Sequence, residues 1–271
     1  MADYGDILSK SLRFAVQPKR WLQLLIIDAV FYSVAAWLVL SNIQNFISFF
    51  ASAGMDLAVI GPVVSFISYM VAASVVFWLA RMWIQGALLQ QSANEKTKVA
   101  DSYRYGLRRF ISLLLATAIA AIIGGLAGAV PFVGTVLTFM VSIVLVFASQ
   151  CVMVSKLGFA EALGNACKMF RERPGSVFLA WLATSLVSLV IMVLFLLPAF
   201  IAFGSVLFPA LMGITGSDVS SFMPLITTIT QNLGLLGIAA FIFLVGSSIA
   251  GAFSIKALTE FYKAWSKKKL F

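Results

Sequence analysis

The sequence of 271 residues contains no histidine and only two cysteines, and charged residues make up just 11% of it. Without histidine, the chain lacks the commonest metal ligand and the commonest general base in proteins. Cys151 and Cys167 form no CxxC motif, and we expect them to be reduced packing residues rather than a disulfide. No P-loop and no nucleophile elbow occurs. We therefore expect no metal, no cofactor and no enzyme activity.

The scarcity of charge is matched by an excess of apolar side chains, which make up 62% of the residues. A soluble domain of this length keeps a large surface in water, so it cannot hide this many apolar side chains. The apolar residues form continuous runs near or above the ~20 residues that cross ~30 Å of hydrocarbon. Because the runs do not alternate with polar residues, transmembrane strands are disfavoured. The sequence therefore predicts an all-α integral membrane protein.

Six apolar runs predict six transmembrane helices arranged as three hairpins. The predicted spans cover residues 22–40, 57–80, 110–129, 132–154, 176–203 and 225–255. The predicted connections on one side are two outer loops, 41–56 and 205–224, and a tight turn, 124–134. We expect the second helix to continue past Arg81 toward Gln91, since no Gly–Pro break occurs before Asn94. Gly124 and Gly128 have the spacing of close helix contacts, either within the fold or as a dimer face.

All 19 lysines and arginines fall on one side of the predicted spans. They lie in the N-terminal segment, in the connections 81–109 and 156–173, and in the C-terminal segment 256–269. Asp56 and Asp218 are the charged residues of the opposite loops. The positive-inside rule then places both termini on the cytoplasmic side of the cell membrane, with the C-terminal tail in water or on lipid headgroups. The net charge of +9 is thus an orientation signal rather than a nucleic-acid-binding face.

A short amphipathic segment precedes each hairpin and predicts a helix that lies on the membrane surface. The three segments are residues 4–20, 95–109 and 158–173. Phe14 precedes Pro18 as Phe170 precedes Pro174, whereas the second segment lacks the proline. We interpret the pattern as three repeat-like units, about 4–93, 95–155 and 158–262, in a single membrane domain. The alternative is that basic clusters between spans follow from the positive-inside rule alone.

The three units, the FRERP junction at 170–174 and the GAVPFVG turn at 128–134 resemble archaeal and bacterial six-span families of unknown function. Those families are related to the membrane domain found beside glycerophosphodiester phosphodiesterases. The resemblance covers most of the chain and implies the six-span fold. It implies no catalytic residues, and nothing in the chain resembles the phosphodiesterase domain itself.

Four polar residues near the cytoplasmic ends of the spans are candidates for a binding site or pathway. Asp28 is the one acidic side chain inside a predicted span, where a charge is tolerated only when it is paired or hydrated. Arg81 lies at a compatible depth, and Gln85 and Gln150 fall near the same side. Either these residues line a vestibule that opens to the cytoplasm, or an Asp28–Arg81 pair locks the first hairpin and the glutamines hydrogen-bond between helices.

Aromatic and basic residues beside the surface segments predict contacts with anionic lipid headgroups. They are Phe14, Lys19, Arg20, Trp21, Arg108, Arg109, Phe170, Arg171, Arg173, Lys267, Lys268 and Lys269.

Two hypotheses for the function follow. The first is a pathway or binding site for a small or lipid-like solute, open to the cytoplasmic side. The second is a scaffold that organises lipid, a second copy or a partner membrane protein through its amphipathic helices.

Overall fold

The computed structural model describes residues 3–51, 57–212 and 223–266, and no strand occurs in these ranges. Eleven helices cover almost all of them, which confirms the predicted all-α class. The helices are α1 (Tyr4–Ala15), α2 (Pro18–Ala51), α3 (Leu57–Ala93), α4 (Val99–Arg108), α5 (Phe110–Gly128), α6 (Gly134–Val144), α7 (Ala148–Met153), α8 (Phe159–Glu172), α9 (Pro174–Met212), α10 (Met223–Gln231) and α11 (Leu233–Ser266).

Within the described ranges, six helical segments are long and apolar enough to cross a membrane, as a multi-pass membrane protein requires. They are Pro18–Ile43, Ile60–Ala93, Phe110–Gly128, Gly134–Met153, Pro174–Pro209 and Leu233–Ser266. The last contains 34 residues, and at ~1.5 Å per residue it exceeds the ~30 Å of a hydrocarbon core. Part of this helix therefore has room to extend beyond the hydrocarbon.

Two helices, α2 and α9, are longer than the apolar segments of the sequence predicted. Residues 41–51, predicted as part of an outer loop, belong to α2, and residues 205–212, predicted as part of another, belong to α9. The rest of these two loops, 52–56 and 213–222, lies outside the described residues. The stretch FISFFA at 46–51 contains no glycine or proline that would end a helix, so α2 continues through it.

The C-terminal segment also differs from the prediction of a tail in water or on headgroups. It is helical as far as Ser266, and Phe261, Tyr262 and Trp265 are buried. Their rings pack against other aromatic side chains, which removes a large apolar area from solvent. The first part of the predicted tail is therefore helical and belongs to the protein core.

The described chain forms two compact units, each made of discontinuous segments. The first unit comprises Met1–Leu24, Leu79–Val190 and Ile249–Phe271, and the second comprises Leu25–Trp78 and Ile191–Ser248. This division differs from the three repeat-like units that the sequence predicts, which stay a prediction.

The core of the first unit draws on helices that are far apart in the sequence. Its buried members include Ile7, Leu89, Leu113, Cys151, Ala162, Val177 and Phe261. Tyr4 of α1 packs on Phe261 with ring centroids 5.0 Å apart, and Phe147 packs on Trp265 at 5.6 Å. The buried faces of α1 and α8 thus face a common apolar core that α11 completes.

Two glycines allow α4 to lie against α3. A Cβ on Gly106 would stand 3.1 Å from the backbone nitrogen of Ala87, which is tighter than ordinary contact. Gly86 faces the same crossing, where an added Cβ would stand 3.6 Å from the Cα of Gly106. Trp83 fixes the register because its indole N–H donates to the carbonyl oxygen of Tyr103 over 3.1 Å. In the second unit, Gly246 also allows a close approach. A Cβ on Gly246 would stand 2.3 Å from the Cβ of Phe195.

The connection between α5 and α6 is as tight as the sequence predicts. Phe132 has a positive φ of 65°, and the next helix begins at Gly134. A Cβ on Gly134 would stand 2.2 Å from the carbonyl oxygen of Gly128, a backbone atom with little freedom to move. Thr138 donates to the carbonyl oxygen of Gly124 over 3.0 Å. The glycine at 134 is therefore a requirement of this close approach.

We predict that Gly134→Ala lowers the free energy of unfolding by about 2 kcal/mol, because the methyl group overlaps backbone atoms. Gly124→Ala is the matched control, since a Cβ there meets nothing within 4 Å, and an alanine inside a helix is neutral or mildly stabilising. Thermal unfolding of both variants in detergent measures the difference. Equal melting temperatures for the two variants would contradict the close approach.

Candidate functional site

The last turn of α3 gathers three cations around its backbone carbonyl groups. The final carbonyls of a helix lack intrahelical partners and carry the negative end of the helix dipole. Lys256 Nζ donates to the carbonyl oxygen of Ser92 over 2.9 Å, and Lys263 donates to that of Ala93. Arg20 donates to a carbonyl oxygen just beyond the helix. We call Arg20, Lys256 and Lys263 the cation cluster.

Two carboxylates offset part of the charge of the cation cluster. Lys256 Nζ lies 2.6 Å from a carboxylate oxygen of Glu95 and 2.7 Å from one of Glu260. Lys263 lies 3.5 Å from the same oxygen of Glu260, and Arg20 donates to the backbone oxygen of Glu95 over 3.2 Å. Only 4% of the Lys256 side chain is exposed, and a buried ammonium is tolerated only when it is paired and hydrogen-bonded. These contacts therefore stabilise the first unit.

Phe14 and Arg20 lie inside the protein. Phe14 is 1% exposed and Arg20 is 3% exposed. The Arg20 guanidinium lies 4.8 Å from the centre of the Phe14 ring, and Lys256 Nζ lies 5.4 Å from it. Arg20 also donates to Gln91 Oε1 over 2.6 Å. These two side chains have almost no accessible surface, and their binding to lipid headgroups stays a prediction.

Hydrogen bonds join α2, α3, α4 and α11 beside the cation cluster. Tyr103 of α4 donates its hydroxyl to Gln23 Oε1 over 2.9 Å, and burial raises the pKa of this phenol. Gln23 lies 3.4 Å from Gln91. Ser92 donates to the Thr259 hydroxyl over 2.9 Å. No local sequence pattern predicts this network, because its partners lie 68, 80 and 167 residues apart in the chain.

The four residues predicted for a pathway divide between the two units. Asp28, which is 1% exposed, belongs to the second unit, whereas Arg81, Gln85 and Gln150 belong to the first. Gln150 is 3% exposed, and among the described residues its Oε1 accepts no hydrogen bond. The Asp28–Arg81 pair and the vestibule both stay predictions.

The other residues predicted to bind the membrane surface differ in exposure. The exposed ones are Lys19, Arg108 and Arg171, and the half-buried ones are Trp21, Arg109, Phe170 and Arg173. Lys267, Lys268 and Lys269 lie outside the described residues. The exposed side chains are free to reach a membrane surface, but their binding to lipid stays a prediction.

A groove of about 600 Å³ follows α5 and α6. Small side chains line most of it: Ala116, Thr117, Ala120, Ala121, Gly124, Gly125, Gly128, Thr138, Ser142, Ala148 and Ser149, together with Val141 and Leu145. We call it the α5–α6 groove. Both helices belong to candidate membrane spans, so the groove lies along helices that are long and apolar enough to cross hydrocarbon. Gly124 and Gly128, predicted to mediate a close helix contact, both line the groove.

No protein-family model, curated protein or solved structure matches the chain. The resemblance to six-span families therefore stays a prediction. In the parts of the chain that the structure describes, no group of three His, Cys, Asp or Glu side chains is placed to hold a metal ion. The function is accordingly inferred from the geometry of this chain.

We predict that Lys256→Met lowers the free energy of unfolding by about 3 kcal/mol. The substitution keeps the length of the side chain but removes the buried cation that Glu95, Glu260 and a helix-end carbonyl share, and Glu260 keeps only the longer contact with Lys263. Lys10→Met is the matched control, because Lys10 pairs with Asp6 where both side chains are more than half exposed, and no measurable change is expected. Thermal unfolding in detergent tests the pair. Equal effects of both substitutions would mean that burial at Lys256 is energetically unimportant.

Proposed function

We propose that this protein is a non-enzymatic, multi-pass protein of the cell membrane that binds a lipid-like molecule in the α5–α6 groove. The observation that carries the proposal is the groove itself, about 600 Å³ with a predominantly apolar lining. If such a groove faces hydrocarbon, neighbouring lipid chains fill it, since an empty apolar space forfeits dispersion contacts. An acyl or isoprenoid chain has the right width and polarity for this lining.

The polar residues at one end of the groove support an amphiphile rather than a plain hydrocarbon. Ala148 and Ser149 line the groove, and the next residue is Gln150, whose buried amide oxygen accepts no hydrogen bond from the described chain. A buried acceptor without a donor is destabilising. A hydroxyl or amide group on the bound molecule would satisfy it. Both termini are proposed to be cytoplasmic, which places this end of the groove on the cytoplasmic side.

The test is to fill the groove without disturbing its neighbours. Gly125→Phe places a ring in the groove, because a Cβ at Gly125 meets nothing within 4 Å. Leu126→Phe is the matched control, since Leu126 is 69% exposed and does not line the groove. Photo-crosslinking with a lipid that carries a reactive group on its chain measures occupancy of α5 and α6. We expect about tenfold less crosslinking for Gly125→Phe, the equivalent of about 1.4 kcal/mol, and no change for Leu126→Phe.

Equal crosslinking of Gly125→Phe and the native protein would overturn the lipid-binding proposal. It would favour the second candidate, a scaffold, which rests on a different observation. Helices α1, α4 and α8 bury one face in the first unit and expose charged residues such as Lys10, Arg108 and Arg171. Native mass spectrometry after gentle extraction separates the two candidates. A second subunit retained in stoichiometric amount supports the scaffold, and a single chain that carries a lipid supports the groove.

A further inference from the structure

A second cavity, separate from the α5–α6 groove, lies where α8 and α11 meet. Its volume is about 190 Å³, enough for a small polar group. It is lined by Ser155, Asn165, Met169, Glu172, Arg173, Tyr262, Trp265 and Ser266. None of these residues lines the groove. We call it the α8–α11 pocket, and conclusions about it do not depend on the groove.

One wall of the α8–α11 pocket supplies a cation. The backbone N–H of Arg173 donates to the carbonyl oxygens of Met169 and Phe170, which ends α8 and fixes the position of the residue. Among the described residues, no hydrogen bond or ion pair engages its guanidinium. A half-buried guanidinium with five N–H donors and no acceptor is well suited to a phosphate group.

Another part of the lining is aromatic, and its side chains are held in position by their neighbours. Tyr262 and Trp265 are 1% and 8% exposed, and both rings pack on Phe147. The Tyr262 hydroxyl is hydrogen-bonded to that of Ser155, so the position of the phenol is fixed. The faces of such rings attract an ammonium group.

A carboxylate completes the lining. Glu172 precedes Arg173 in the chain and lines the same pocket. A carboxylate accepts hydrogen bonds from several donors at once, so it can bind an ammonium group beside the contacts that it already makes. A guanidinium, a carboxylate and two aromatic rings around one small cavity match a ligand that carries both a phosphate and an amine. A purely anionic ligand would meet the repulsion of Glu172.

The pocket also stands at the ends of two candidate spans. Arg173 directly precedes the span Pro174–Pro209, and Trp265 is the penultimate residue of the span Leu233–Ser266. A basic residue directly before a span is typical of the depth of lipid headgroups, and Arg173 has that position. We infer that the α8–α11 pocket binds a phosphoethanolamine group, with the phosphate on Arg173 and the ammonium between Glu172 and the Trp265 ring. The chemistry is shared by the headgroup of an aminophospholipid and by free phosphoethanolamine.

The test measures binding to the full chain in detergent. Native mass spectrometry compares phosphatidylethanolamine with phosphatidylglycerol of the same acyl chains, and calorimetry measures free phosphoethanolamine. We expect retention of phosphatidylethanolamine over phosphatidylglycerol. Arg173→Gln should weaken that binding at least about tenfold, because a hydrogen bond to a charged group is stronger than a neutral one. Arg171→Gln is the matched control, since it removes the same charge two residues away, outside the pocket.

A second variant tests the cavity without changing charge. Ser266→Phe fills the α8–α11 pocket and should weaken binding as Arg173→Gln does, while the melting temperature shows whether the chain remains folded. Binding of free phosphoethanolamine but not of the lipid would assign the pocket to a soluble ligand. Equal losses for Arg171→Gln and Arg173→Gln, or equal binding of the two lipids, would overturn the inference, because surface charge alone would then explain the binding.

Discussion

The first unit depends on how the carbonyl groups at the end of α3 are satisfied. A helix that ends in a buried position leaves carbonyl oxygens without partners, and each costs free energy if it stays unpaired. Here Lys256, Lys263 and Arg20 supply the donors. Arg20 lies at the beginning of α2, and Lys256 and Lys263 lie in the last turns of α11. The hydrogen bonds that satisfy the end of α3 therefore also connect α2 and α11 to it. The positive charges lie at the negative end of the α3 dipole, where they are favourable.

These cations give the positive-inside pattern a second physical role. Basic residues on one side of the spans orient the chain during insertion. In the folded protein, Lys256 and Arg20 are buried, and their charges act directly on protein groups. Glu95 and Glu260 offset the desolvation that this burial imposes. Exposed basic residues such as Arg108 and Arg171 remain available for a partner or a membrane. One compositional signal therefore covers two groups of residues in different environments, one buried and one exposed.

The sequence predicted the six spans because the bilayer imposes one demand, about 20 continuous apolar residues, on every crossing helix. The same reasoning failed where helices continue through residues 41–51 and 205–212, since helix length is not limited by hydrocarbon thickness. It also missed the role of Lys256. The spacing of Lys256 and Glu260, four residues apart, indicates an ion pair on one helix face. The partners Glu95 and Ser92 are more than 150 residues away in the chain, and no local pattern reveals them.

The presence or absence of a hydrogen-bond partner separates the structural polar residues from those that we propose for binding. Gln91, Tyr103 and Thr259 have hydrogen-bond partners from distant helices, which is how buried polar groups contribute to a unique fold. The amide oxygen of Gln150 and the guanidinium of Arg173 have no such partner among the described residues. Arg173 lines the α8–α11 pocket, and Gln150 directly follows Ser149, which lines the groove. Polar groups that the protein leaves unsatisfied next to open volume are available to a ligand. For this reason the groove and the pocket, rather than the more highly charged cation cluster, are the sites to which we assign binding.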